Sequence, residues 1–92
     1  MKRLKWDELK NVWLQEIRGI SFEEILEDIK NGQVIEKTEH PNQLKYPNQK
    51  VFIVNHNDYC YMVPFVEDED EYFLKTIIPS RKATKKYLKN GG

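Results

Sequence analysis

Two apolar runs, Lys50 to Asn55 (KVFIVN) and Tyr59 to Phe65 (YCYMVPF), stand close together in the chain and constrain its fold more than any other feature. Runs this rich in β-branched and aromatic residues, bounded by polar turn formers, read as strands, with His56-Asn57-Asp58 as the turn between them. A strand with one wet face alternates apolar and polar residues. These runs do not alternate, so both faces of the sheet they build have to be covered. Pro64 has no N–H to give to a ladder and marks a bulge or an edge. The run Tyr72 to Ile78 has the same content, with Phe73 to Ile78 as the last strand, and the acidic stretch 67–71 (EDEDE) turns the chain into it. Three strands joined by short turns predict an antiparallel meander. A chain of 92 residues makes one domain, 1–92, so its own remaining segments supply the cover.

Helical spacing supplies it before the strands. Met1 to Lys5 reads either as a short edge strand or as a disordered basic start. Asp7 can cap a helix running to about Ile17, in which Trp6, Leu9, Trp13 and Ile17, with Val12 beside them, fall near one face and are assigned to the core. Gly19 follows at the position where a helix ends in a left-handed residue. Ser21 and Glu24 form the two halves of a capping box for a second helix. Its buried stripe is Phe22, Ile25, Leu26 and Ile29, and Asn31-Gly32 ends it. Glu23, Glu24, Glu27 and Asp28 read as a solvated face. From Gln33 the period changes to that of a strand. Val34 to Thr38 is a short one, followed by a long polar loop, Glu39 to Asn48, carrying His40, Pro41, Lys45 and Pro47. The expected fold is α+β, an N-terminal helix pair packed on a small antiparallel sheet and followed by a short basic helix. One core is expected to bury Trp6, Leu9, Trp13, Phe22, Leu26, Phe52, Val54, Tyr61 and Leu74.

That last helix carries the chemistry. Pro79 stops the ladder of the last strand and Ser80 is placed to cap the helix after it. Arg81 and Lys82 then occupy the first turn, where the helix dipole favours anions, and Lys85, Lys86 and Lys89 continue the charge. The like-charged pairs four residues apart each cost a few tenths of a kcal/mol, about 0.3. An arrangement that costs stability locally points to a polyanion; its plain alternative is a solvated helix with lysines for solubility. The chain has 15 basic and 15 acidic residues, so the molecule as a whole does not attract nucleic acid, and only the distribution does. The single Cys60 excludes an internal disulfide and fits a reducing cytoplasm. With no signal peptide and no apolar run of eighteen residues, an intracellular protein away from the membrane is expected.

Ordinary catalytic signatures are missing. His40 and His56 lie in separate loops without a Cys or carboxylate at ligand spacing, so no metal is expected. Cys60, between two tyrosines in an apolar strand, reads as a structural thiol. No Gly-rich phosphate loop and no nucleophile elbow occur, and no cofactor is implied. The remaining candidates are cationic: Lys75, on a strand face predicted to include Phe73 and Ile77, Arg81, Lys82, Lys85 and Lys86 after it, and Lys45 and Lys50 around the long loop.

WDELKN, then RGISFEEIL, then IIPSRKATKKY resemble the small BrnT-type toxins of bacterial type II toxin–antitoxin systems, over nearly the whole chain and in the same order. The SFEE and SRKAT stretches are the moderately specific part. The resemblance implies a RelE-like fold, a metal-independent ribonuclease acting on cellular RNA in the cytoplasm, and neutralisation by a ribbon-helix-helix antitoxin in a hetero-oligomeric complex. Arg81 matches the first arginine of the family's terminal motif, Ala83 and Thr84 match as they stand, and Lys82 and Lys85 replace arginines. Arg18 stands where the family has His, and Tyr87 where it has Glu, which removes two proton carriers.

Metal-free cleavage needs a base for the 2′-OH, an acid for the departing 5′-oxygen and cations for the phosphorane charge. Arg81 is the expected clamp, because its fork matches phosphate bidentately. Lys85 and Lys50 assist it, Lys75 or His40 moves protons, and Tyr87 and Tyr61 stay available. Arg18, His40, Lys45, Lys82 and Lys86 are expected to hold RNA. Two other classes remain open: a binding module using the basic helix on nucleic acid or an acidic protein segment, and a protein-interaction subunit whose cationic face a partner covers.

Overall fold

A computed structural model describes residues 2–88, which form three helices and six strands. In chain order they are β1 (Arg3–Trp6), α1 (Glu8–Arg18), α2 (Phe22–Lys30), β2 (Val34–Glu39), β3 (Lys50–His56), β4 (Tyr59–Glu67), β5 (Glu71–Leu74), β6 (Ile78–Pro79) and α3 (Arg81–Tyr87). The apolar runs become the central hairpin. β3 and β4 pair antiparallel from Lys50↔Phe65 to His56↔Tyr59, so His56 belongs to the ladder and the turn is Asn57-Asp58 alone. Both turn residues have positive φ, 52° and 64°, the backbone that matches the twist of a two-residue hairpin. Asn and Asp reach it at low cost through their short polar side chains.

The sheet runs β1-β5-β4-β3-β2, with β6 also on β4. It is mixed rather than antiparallel as expected, because β1 lies parallel to β5, Arg3 opposite Glu71 and Trp6 opposite Leu74. The helices between β1 and the hairpin provide the long connection that a parallel partner needs.

The expected last strand is two strands, and Pro64 divides them. On one side of β4, Phe65 pairs with Leu74; farther along, Met62 pairs with Ile78, leaving one residue too many in the second segment. A residue's N–H and C=O point to the same side of a strand, so Pro64 offers that side an acceptor but no donor. Its carbonyl takes the Lys75 N–H at 2.8 Å, and the ladder breaks there as a bulge. The extra residue moves Ile77 to the core face beside Leu74, while Lys75 stays outside over the Phe73 ring. Ile77 therefore does not share the face of Phe73 and Lys75.

Alternate residues of β3 feed two apolar layers. Phe52 and Val54 join Val63, Phe65 and Leu74 with Leu14, Ile20, Phe22 and Ile25 of the first helices. Val51 and Ile53 join Cys60 and Ala83 on the opposite face. Both faces of the hairpin are covered, as the lack of alternation requires.

Helix α1 faces the core with the side opposite to the one its apolar spacing suggests. Leu14 and Asn11 are fully buried, whereas Leu9 is 82% exposed, Ile17 63%, Val12 48% and Trp13 41%. Trp6, Leu26 and Tyr61 are half-buried; Phe22, Phe52, Val54 and Leu74 are buried as expected. Asn11 can enter the interior because its amide is fully used. Its oxygen accepts the Phe22 N–H at 2.8 Å, an orphan donor of the first turn of α2, and its nitrogen donates to Glu8 and Glu23 at 3.1 and 2.7 Å. The helix ends match their sequence signals. Asp7 accepts from the Leu9 N–H, Gly19 turns the chain at φ 66°, and the Ser21/Glu24 capping box is complete.

Candidate nucleic-acid interface

Six of the seven residues of α3, with the Ser80 cap before them, divide by side-chain role. Ser80 caps the helix by accepting the Ala83 N–H at 3.1 Å, and its own N–H donates to the Cys60 carbonyl at 2.9 Å. Thr84, buried, accepts the Cys60 N–H through its hydroxyl at 2.9 Å and donates to the Ser80 carbonyl at 2.8 Å. Ala83 packs on Val51 and Ile53. With positions 80, 83 and 84 committed to the β3–β4 hairpin, the helix turns Arg81, Lys82, Lys85 and Lys86 outward, all exposed. Among the described residues no carboxylate forms an ion pair with any of the four. Lys89 lies outside the described residues.

Two hollows lie around the segments that lead into this helix. A cleft of about 290 Å³ is lined by Lys10 of α1, His40, Tyr46 and Gln49 of the long loop, Pro64 of β4, and Lys75, Thr76 and Ile78 of the bulged segment. A second hollow of about 300 Å³ is lined by Pro41 and Ser80 together with Met62, Lys82, Lys86 and Tyr87. Neither lining contains an acidic residue, on a chain that carries 15 of them. Inside the cleft the His40 and Tyr46 rings lie 4.6 Å apart, and Lys45 sits 5.3 Å from the Tyr46 ring on its rim. The Asn42 N–H donates to His40 Nδ1 at 3.0 Å. In neutral imidazole this assigns the proton to Nε2, leaving that nitrogen a donor.

The predicted residues thus fall into three groups. His40 and Lys75 meet in the cleft, Lys45 is at its rim, and Lys82 and Lys86 line the second hollow. Arg81 and Lys85 are displayed on α3 and line neither. Lys50 lies elsewhere, and Arg18 lines neither hollow. Lys50 borders a separate depression of about 400 Å³ whose lining includes Glu67, Asp68 and Glu69, so an incoming phosphate there meets carboxylates. Arg18 donates to the Ile77 carbonyl at 2.5 Å and holds the bulge against α1.

Lys10 and Tyr46 are site residues that periodicity missed. Lys10 sits one residue from the apolar stripe of α1 and reads as an ordinary helix lysine. Tyr46 is an aromatic in a polar loop between two prolines, a placement that no strand or helix explains and that could have flagged it. The tyrosines kept available as proton carriers are poorly suited to that role. Tyr87 donates to Glu36 and that bond pushes its hydroxyl above the ordinary range, while burial, with Tyr59 and Glu24 nearby, raises Tyr61. Cys60 is fully buried and burial pushes its thiol up. His56 finds carboxylates after all, Asp28 at 2.6 Å and Glu24 at 3.3 Å, and ties the end of β3 to α2.

The acidic depression gives the fold a pH dependence. Lys2 pairs with Glu67 at 2.5 Å, and that hydrogen bond is the main reason Glu67 lies below the usual carboxylate range and Lys2 above its own. The Asp70 and Glu71 N–H groups lower Asp68 in the same way. A carboxyl lowered on folding contributes stability above its unfolded value, and loses it as pH falls through the folded one. Thermal stability is therefore expected to drop below about pH 4. In Lys2→Met the acid drop should be shallower in melts compared at about pH 5 and pH 3; identical pH profiles would assign it to other groups.

Among the described residues no helix is long and apolar enough to cross a membrane. No family model, curated protein or solved structure matches the chain.

Proposed function

We propose that this chain is a BrnT-like toxin of a type II toxin–antitoxin module, RelE-like in fold with its helix pair set across the sheet, and that it cleaves RNA in the cytoplasm without a metal. The observation that carries the reading is the cleft, whose lining holds Lys10, Lys75 and His40 and no acidic residue, on a chain of zero net charge. A polyanion is attracted to such a lining and repelled from the carboxylates around Lys50. A donor set of one histidine, one tyrosine and lysines suits phosphate better than a divalent cation, which would need carboxylates or several imidazoles.

In the proposed reaction the 2′-oxygen attacks the adjacent phosphorus and the bond to the 5′-oxygen breaks. The products are a 2′,3′-cyclic phosphate and a 5′-hydroxyl. Lys75 and Lys10 stabilise charge on the non-bridging oxygens as it develops. The His40 Nε2–H and the Tyr46 hydroxyl donate to the phosphate, and Tyr46 can relay a proton between the two oxygens that exchange it. Arg81, Lys82, Lys85 and Lys86 hold phosphates along the strand outside the cleft. A ribbon-helix-helix antitoxin covering the face of Arg81 and Lys85 would block that path.

Purified protein is expected to cleave RNA in excess chelator and to leave cyclic phosphate ends. Its expression should arrest growth, and co-expression of the adjacent reading frame should relieve the arrest. Salt-dependent RNA binding without cleavage would replace this reading with the non-catalytic binding module, and absence of RNA binding would reject the ribonuclease and leave a module for DNA or an acidic protein segment.

A further inference from the structure

Trp13 is the one aromatic residue of α1 and is 41% exposed. It adjoins the cleft. Lys10, which lines the cleft, lies 4.5 Å from its ring centroid, and Arg18, anchored on the carbonyl of Ile77 between two cleft residues, lies 5.2 Å from it. At the loop side of the same cleft, Tyr46 lies against Lys45 in the same way. One ring thus lines the cleft and a second lies against its Lys10, each with at least one cation beside it. Grooves that hold single-stranded nucleic acid are built from these parts: cations track the backbone, and exposed rings stack successive bases. A duplex keeps its bases stacked inside and offers neither ring a partner.

We propose that Trp13 is a base-stacking platform that extends the cleft, and that the molecule it serves is unpaired RNA. The proposal rests on the reading of the cleft as an RNA site. A base on the Trp13 ring leaves its neighbouring phosphate within reach of Lys10 and Arg18, which carries the strand from α1 into the cleft. The neighbouring Leu9 and Ile17 are more exposed than Trp13 but carry no ring, and take no part in the stacking.

The test uses a short 2′-O-methyl oligonucleotide, which lacks the attacking hydroxyl, as a single strand and annealed to its complement, with binding followed by fluorescence anisotropy. Wild-type protein is expected to prefer the single strand. Trp13→Ala should weaken that binding roughly tenfold or more, Trp13→Phe should retain most of it, and Leu9→Ala should leave it unchanged. Equal affinity of wild type and Trp13→Ala, with Lys75→Ala weakened, would overturn the platform and leave the cleft standing. Equal affinity for duplex and single strand would also overturn it. Absence of binding by the wild type would remove the RNA reading itself. If Trp13→Ala instead lost the adjacent frame's product while keeping RNA, the ring would belong to a protein interface and the proposal would fall.

Discussion

Lys75→Ala is expected to slow RNA cleavage by roughly a hundredfold or more while leaving the fold intact, the loss typical of one group that stabilises charge in the transition state. Lys75 is exposed and forms no ion pair among the described residues, so its truncation should change the unfolding free energy by no more than about 0.5 kcal/mol. Lys50→Ala removes the same charge from the acid-lined depression and serves as the control; its effect should be small. Arg81→Ala, which removes an exposed guanidinium outside the cleft, is expected to raise the RNA concentration needed for half-maximal rate. Single-turnover cleavage of one labelled RNA separates these cases. Equal, small losses for all three would reduce the cleft to general electrostatic attraction.

Phe65→Ala should be the most damaging single substitution for the fold. Phe65 is fully buried, stacked on Phe52 with ring centroids 4.1 Å apart and meeting Tyr72 edge-on at 5.2 Å. Emptying such a site costs about 3–5 kcal/mol in lost burial and residual cavity. For a domain of this size that lowers the melting temperature on the order of 20 °C. Leu44→Ala, at a position 99% exposed, should leave the melt unchanged. A Phe65→Ala protein that melts within a few degrees of wild type would mean that the core closes over the cavity.

Much of the fold is legible because its signals are local. The capping box of Ser21 and Glu24, the Gly19 stop, the Ser80 cap and the two non-alternating runs each depend on residues close in the chain. Expectation and structure part where one element's position depends on another. On the helical wheel of α1 the apolar stripe is the obvious inward face, yet Asn11 is buried because Glu23 and the Phe22 N–H on the next helix satisfy it. No window over α1 contains those partners. Pro64 is readable as a bulge or an edge, but its effect falls on β5 and β6, several residues downstream. The site obeys the same rule. The basic run of α3 is visible as a run, while Lys10, His40, Tyr46 and Lys75 are far apart in sequence and meet only once α1, the long loop and the bulge are in place.

The way α3 is fastened makes its outer surface open to change. Its attachment to the β3–β4 hairpin passes through Ser80, Ala83 and Thr84, with Tyr87 packed on the same apolar layer and the backbone of Cys60 accepting one hydrogen bond and donating another. None of the four outward cations takes part. Substitution at those four positions is therefore expected to be nearly free of folding cost, so descendants of this chain could exchange lysine for arginine there, or lose a charge, and alter the charge of that surface without disturbing the scaffold. Ser80, Ala83 and Thr84 have no such latitude, because the Ser80 and Thr84 hydroxyls carry the hydrogen bonds of the cap and of Cys60, and a larger residue at Ala83 would push the helix off the sheet.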